Sequence, residues 1–89
     1  MNEMKKRILL ELYRHRGGAL KIEIAAALLT FVEKIQPILI GMKKEGFVKL
    51  GYLDAIYLTK KGRRVVKCLL EKERINRRLR ELGWYDLGE

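Results

Sequence analysis

The sequence predicts a single, mainly α domain with one small β-hairpin and an extended C-terminal helix. Three observations lead there. Apolar residues recur at helical spacing in four stretches, and two short β-prone runs flank a turn near the middle of the chain. The 89 residues are 48% apolar and 35% charged, which suits one packed core and is unlike a disordered segment. Eight glycines and a single proline mark turns inside that domain, and no internal repeat divides it.

The first helix is expected from about Asn2 to His15, where Met4, Ile8 and Leu12 form a stripe beside Leu9 and Tyr13. Gly17 and Gly18 end it, after a basic last turn of Arg14, His15 and Arg16 that suits a helix C-terminus. A second helix, roughly Leu20 to Leu29, buries Leu20, Ile24 and Leu28. Its small trio, Ala25, Ala26 and Ala27, lets another helix approach closely. Thr30 and Glu33 stand in capping-box spacing ahead of a third helix, with Ile35, Ile38, Leu39 and Met42 turned inward and Gly46 as the stop. Pro37 falls inside that helix, where a proline costs roughly 3 kcal/mol or more. Either the helix kinks and keeps the Thr30 cap, the preferred geometry, or it begins at Pro37 after a longer turn. Phe47 to Leu50 and Ala55 to Leu58 read as two strands around the turn Gly51-Tyr52-Leu53-Asp54. Thr59 is placed to cap a fourth helix that runs to about Leu82 and precedes a short tail, Gly83 to Glu89. Val65, Val66, Leu69 and Leu70 are expected to seal the domain.

Net charge is +9, and its distribution matters more than its size. Residues 60 to 80 carry ten basic and two acidic side chains, residues 1 to 16 carry five and two, and the middle is nearly balanced. Such a field favours a polyanionic partner, because Lys and Arg contacts to phosphate release condensed counterions. The alternative is a solubilising surface of the thermophile kind, consistent with the scarcity of Asn and Gln. Cys68 is the only cysteine and His15 the only histidine, so neither an intramolecular disulfide nor a Cys/His zinc site is expected. No cofactor and no metal are expected, and the absence of a Ser/His/Asp set, a phosphate-cradling glycine loop or a spaced carboxylate pair argues against an enzyme. The apolar stretch after Lys5, Lys6 and Arg7 is broken by Glu11 and Arg14, unlike a signal peptide, and Ile24 to Val32 is too short to span a bilayer. A reducing, cytoplasmic and nucleoid-associated location is the expectation, with no membrane partner.

Helix, helix, helix, hairpin, helix is the winged-helix order. Residues 23 to 48, EIAAALLTFVEKIQPILIGMKKEGFV, resemble the helix-turn-helix of MarR-type regulators, with Ala25 at the small position, Leu28 at the closing apolar position and Gly46 ahead of the first wing strand. Leu58-Thr59-Lys60-Lys61-Gly62 resembles the same family's step from wing to last helix. With its long final helix, the chain is also similar to small archaeal winged-helix chromatin proteins that dimerise through such a helix. The resemblance implies a helix-turn-helix over about 20 to 45, a wing over about 47 to 58 and a C-terminal helix over about 60 to 82.

The function so implied is binding of double-stranded DNA, by a transcriptional regulator or an architectural protein, with the third helix in the major groove. On that docking mode Lys34 and Gln36 face bases, Lys43 and Lys44 reach phosphate, and Lys21, at the start of the second helix, is a further DNA-binding candidate. Lys49, Lys60, Lys61, Arg63 and Arg64 are candidates for phosphate contacts that position the domain; a solvated charge run is the bland reading of that cluster. The outward face of the third helix lacks an arginine for bidentate guanine contact, and the wing tip carries Tyr52, Leu53 and Asp54 instead of arginine. Phe31, Val32 and Ile40 either complete the core or form a protein contact, so a winged-helix protein-interaction module is the alternative function. RNA binding ranks below both, since no aromatic stacking platform is evident. Finally, Cys68, Ile75, Leu79 and Leu82 recur at heptad-like spacing on the last helix, interrupted by Lys72, and imply a homodimer interface, in which the first helix could share. Packing within one protomer is the alternative for that stripe.

Overall fold

The computed structural model describes residues 2–83, so the expected tail beyond Gly83 lies outside the described residues. The chain is mainly helical with a small three-stranded antiparallel sheet. Its order is α1 (Glu3–Arg14), β1 (Gly18–Leu20), α2 (Lys21–Ala27), α3 (Val32–Lys44), β2 (Val48–Leu50), β3 (Ala55–Leu58) and α4 (Lys60–Glu81). β3 is the central strand, flanked by β1 and β2. Gly18 pairs with Tyr57 and Leu20 with Ala55 on one side, while Val48 pairs with Leu58 and Leu50 with Ile56 on the other. The core lies between the inner face of this sheet and the helices, where Ile8, Leu9, Leu12, Ile24, Ile35, Leu39, Met42, Ile56 and Val66 are all fully buried. Among the described residues no single helix is long and apolar enough to cross a membrane.

The helix ends explain most of the turns. Asn2 caps α1 by accepting from the Lys5 N–H at 2.9 Å. At the other end the Gly17 N–H bonds to Leu12 O and the Arg16 N–H to Tyr13 O, a Schellman closure with Arg16 at φ +63°. The α2 end repeats it, through Thr30 to Ala25 O and Leu29 to Ala26 O, with Leu29 at φ +56°. α3 does the same through Phe47 to Met42 O and Gly46 to Lys43 O, here with glycine at the left-handed position.

Four expectations are corrected. The sheet has a third strand: Gly18–Leu20, read as the gap between two helices, pairs with β3. Leu20 is consequently not a core residue of α2 but its N-cap, 41% exposed on the sheet edge, with its N–H bonded to the Glu23 carboxylate at 2.9 Å. Thr30 does not cap α3; its backbone closes α2, and Phe31 occupies the N-cap without a side-chain bond. α3 nonetheless runs through Pro37 from Val32, so the helix does not begin at the proline. Leu70, expected inside, is 41% exposed, whereas Val66 is buried and Val65 packs against the core.

Thr59 performs the capping expected of it. Its hydroxyl accepts from the Gly62 N–H at 3.0 Å and lies 2.5 Å from Gly46 O and 3.1 Å from Phe47 O, tying the start of α4 to the end of α3. α4 then extends for 22 residues, about 33 Å. It packs against α1 and β3, and its second half carries no fully buried residue.

Candidate nucleic-acid interface

α3 turns Ile35, Leu39 and Met42 into the core, leaving Glu33, Lys34, Gln36, Pro37, Ile40, Lys43 and Lys44 exposed. A 3.6-residue repeat with apolar residues on one side produces this split, and the face matches the one read from the sequence. Lys34, Lys43 and Lys44 have no acidic partner among the described residues. The same face is also partly apolar: Phe31 is 72% exposed and Ile40 46%, and a groove of about 470 Å³ runs over Val32, Gln36, Pro37 and Ile40.

The other candidate cations divide into braces and open groups. Lys21 is a brace. Its ammonium lies 3.6 Å from Asp54 in the β2–β3 turn and 3.5 Å from Gln36 Oε1 on α3, so one largely covered side chain joins α2, α3 and the hairpin tip. Lys61 is another: it donates to Glu45 O at 2.8 Å, a last-turn carbonyl of α3, and sits 5.0 Å from the Phe47 ring centre. Lys49, Lys60 and Arg64 are exposed and make no ion pair among the described residues. The Arg63 guanidinium packs against Gly17, which sits at φ +93°. The ten residues named from the sequence are spread over four elements, with Lys21 on α2. Lys34, Gln36, Lys43 and Lys44 share α3, while Lys60, Lys61, Arg63 and Arg64 stand at the start of α4, and Lys49 is on β2.

At the hairpin tip Leu53 and Asp54 both take left-handed backbone, φ +54° and +62°, which turns Tyr52 and Leu53 into solvent. The tip thus presents an aromatic and an aliphatic side chain, while its one carboxylate faces back to Lys21.

On α4, Cys68 is exposed, Ile75 is 51% and Leu82 58% exposed, and Leu79 is partly covered. At about 100° per residue these four fall within roughly 60° of one another, on a face about 100° round from Leu69. A separate apolar groove of about 420 Å³, lined by Leu10, Tyr13, Leu28, Leu29 and Leu70, opens between α1, the end of α2 and α4.

One feature escaped the sequence reading. Tyr57, on the outer face of β3, is an aromatic ring 48% exposed. Alternation along the strand could have placed it outward, but only the strand pairing shows what surrounds it. No known family model matches the chain, and no curated protein is similar to it.

Proposed function

We propose that this protein binds double-stranded DNA as a winged helix-turn-helix domain. The observation that carries the reading is the outer face of α3: Lys34, Gln36, Lys43 and Lys44 stand in solvent on a helix whose opposite face is locked into the core, and the three lysines make no ion pair among the described residues, Glu33 being the one carboxylate on that face. The order of elements, with β1 beside β3 beside β2 and a turn projecting at the β2–β3 tip, supports the same reading. In this arrangement α3 lies in the major groove, Lys34 and Gln36 face base edges, and Lys43, Lys44, Lys49, Lys60 and Arg64 contact phosphate. With no arginine on α3, discrimination among base pairs is weak, and the phosphate term dominates affinity. A regulator with one operator and an architectural protein spread along DNA share this chemistry. The protein works as a homodimer through Ile75, Leu79 and Leu82, which places two copies of α3 on successive major grooves, and it belongs in the cytoplasm with the chromosome.

A second reading rests on Phe31, Pro37 and Ile40, which give α3 an apolar groove where a DNA reader is usually polar. On it, the domain holds a partner protein through α3.

Titration of duplex DNA over a range of salt concentrations separates the two. The DNA reading expects a dissociation constant of about 10⁻⁴ to 10⁻⁶ M for nonspecific duplex at physiological salt, and a steep linear fall of log K with log salt. Replacing Lys43 and Lys44 together with Gln should lower the slope by about 2 if both contact phosphate. Absence of duplex binding at low salt rules the reading out and leaves the protein-docking groove.

A further inference from the structure

Tyr57 lies in the middle of the outer sheet face, with Gly18 opposite on β1 and Lys49 opposite on β2. Its ring reaches across both neighbours. A Cβ on Gly18 would lie 2.9 Å from Cδ1, and a Cβ on Gly51 would lie 2.7 Å from Cε2. The two glycines therefore leave room for the two edges of the ring, which remains 48% exposed.

The surroundings are cationic. Beside the ring opens a cleft of about 500 Å³ whose walls include His15, Arg16, Glu23 and Arg63. Arg16 and Arg63 are exposed and have no ion pair among the described residues, and Lys49 flanks the ring from β2. The one carboxylate in the cleft, Glu23, is engaged by the Leu20 N–H at 2.9 Å. A half-exposed aromatic ring with cations on either side is complementary to a base with phosphates on either side. A duplex offers no free base face, so the complement is an unpaired strand.

We propose that the outer sheet face binds single-stranded nucleic acid, with one unpaired base stacked on Tyr57 and the adjoining phosphates held by Arg16 and Arg63 on one side and Lys49 on the other. This site lies off the face of α3 and shares only Lys49 with the duplex reading, in which its central residue, Tyr57, plays no part.

The test measures fluorescence anisotropy of a short labelled oligonucleotide of mixed sequence, as DNA and as RNA, with an abasic strand of equal phosphate count and a duplex as controls. Stacking on one aromatic side chain is worth about 5- to 150-fold in affinity. Tyr57→Leu, which keeps an apolar group over the glycines, should lose that factor, while Tyr57→Phe should retain binding. The abasic strand should bind the unmodified protein more weakly than the base-bearing strand by a comparable factor, a comparison that does not depend on how any variant folds. The DNA and RNA arms show which sugar is preferred. Duplex affinity should be nearly unchanged by Tyr57→Leu, so loss of duplex binding in the unmodified protein would remove the α3 reading and leave this one standing. Equal affinity for abasic and base-bearing strands, or a folded Tyr57→Leu variant that binds the strand as tightly as its parent, overturns the proposal.

Discussion

Gly62→Ala is expected to destabilise the protein, and Gly41→Ala to stabilise it, although both glycines sit within helices. Gly62 occupies the first turn of α4 and is buried. A Cβ there would run into the carbonyl oxygen of Phe47 and lie 3.0 Å from Leu58 Cδ2 and 3.2 Å from the Phe47 carbonyl carbon. The obstacle is backbone, so no rotamer change relieves it. That backbone is also pinned, because the Phe47 N–H closes α3 on Met42 O at 3.0 Å and Phe47 O accepts from the Thr59 N–H at 3.1 Å. Overpacking costs about 1–3 kcal/mol, and moving α4 away weakens a backbone hydrogen bond worth about 0.5–1.5 kcal/mol. Alanine recovers up to about 1 kcal/mol of helix propensity. The balance is a loss of about 2 kcal/mol, or roughly 8–16 °C in Tm for a domain of this size. At Gly41, in the middle of α3, a Cβ meets nothing within 4 Å. Only the propensity gain of about 1 kcal/mol remains there, a rise of roughly 4–8 °C. Thermal and urea unfolding followed by circular dichroism measure both variants. A shift of the same sign at the two positions would refute the reasoning.

Pro37→Ala restores an amide that can bond to Glu33 O; a gain of about 3 kcal/mol in helix propensity, less about 0.4–1 kcal/mol from the freer unfolded chain, predicts Tm higher by roughly 10 °C. An unchanged or lower Tm by the same measurement would mean that the exposed pyrrolidine ring stabilises α3 in a way its surroundings do not indicate. Replacing Ile75 and Leu79 with Asp should give a folded monomer with weakened duplex binding, and sedimentation equilibrium of the unmodified protein is the direct check: a monomer at high micromolar concentration in moderate salt excludes the α4 pairing. Arg77 and Arg78 oppose that pairing, so the dimer should strengthen with salt.

The helices were legible because their apolar residues repeat at the right period, and the step into α4 because Thr59 and Gly62 stand three apart, the distance at which a threonine hydroxyl meets an orphan N–H. β1 was not legible. Three residues, one of them glycine, carry too little alternation to register as a strand, and their pairing partner, β3, lies more than thirty residues along the chain. Once β1 is in the sheet, Leu20 must lie on its outer edge, so the misplaced core residue follows from the missed strand. Thr30 fails as a cap for a related reason. Capping-box spacing describes which side chains are suitable, but the Schellman closure of α2 uses the Thr30 N–H before α3 has begun. That closure holds Leu29, 94% exposed, in left-handed backbone where glycine is usual, so no residue type at that position announced the turn.

The charged residues show where residue type stops being informative about a binding site. Lys21 and Lys34 look alike in the sequence, each near the start of a helix, yet Lys34 is open while Lys21 is covered between Asp54 and Gln36. What distinguishes them is the hairpin, which brings a carboxylate to Lys21 from thirty-three residues away and none to Lys34. Lys61 is separated from Lys60 in the same way, because the end of α3 offers it a carbonyl at 2.8 Å. A lysine spent in this manner still contributes its charge to the surrounding field but cannot extend to a phosphate without releasing its partner. On the proposed nucleic-acid reading, the positive field is therefore broader than the set of groups free to touch a phosphate. Tyr57 is the converse case: its residue type suggested an ordinary strand position, and only Gly18 and Gly51, brought beside it from two other segments, leave room for its ring.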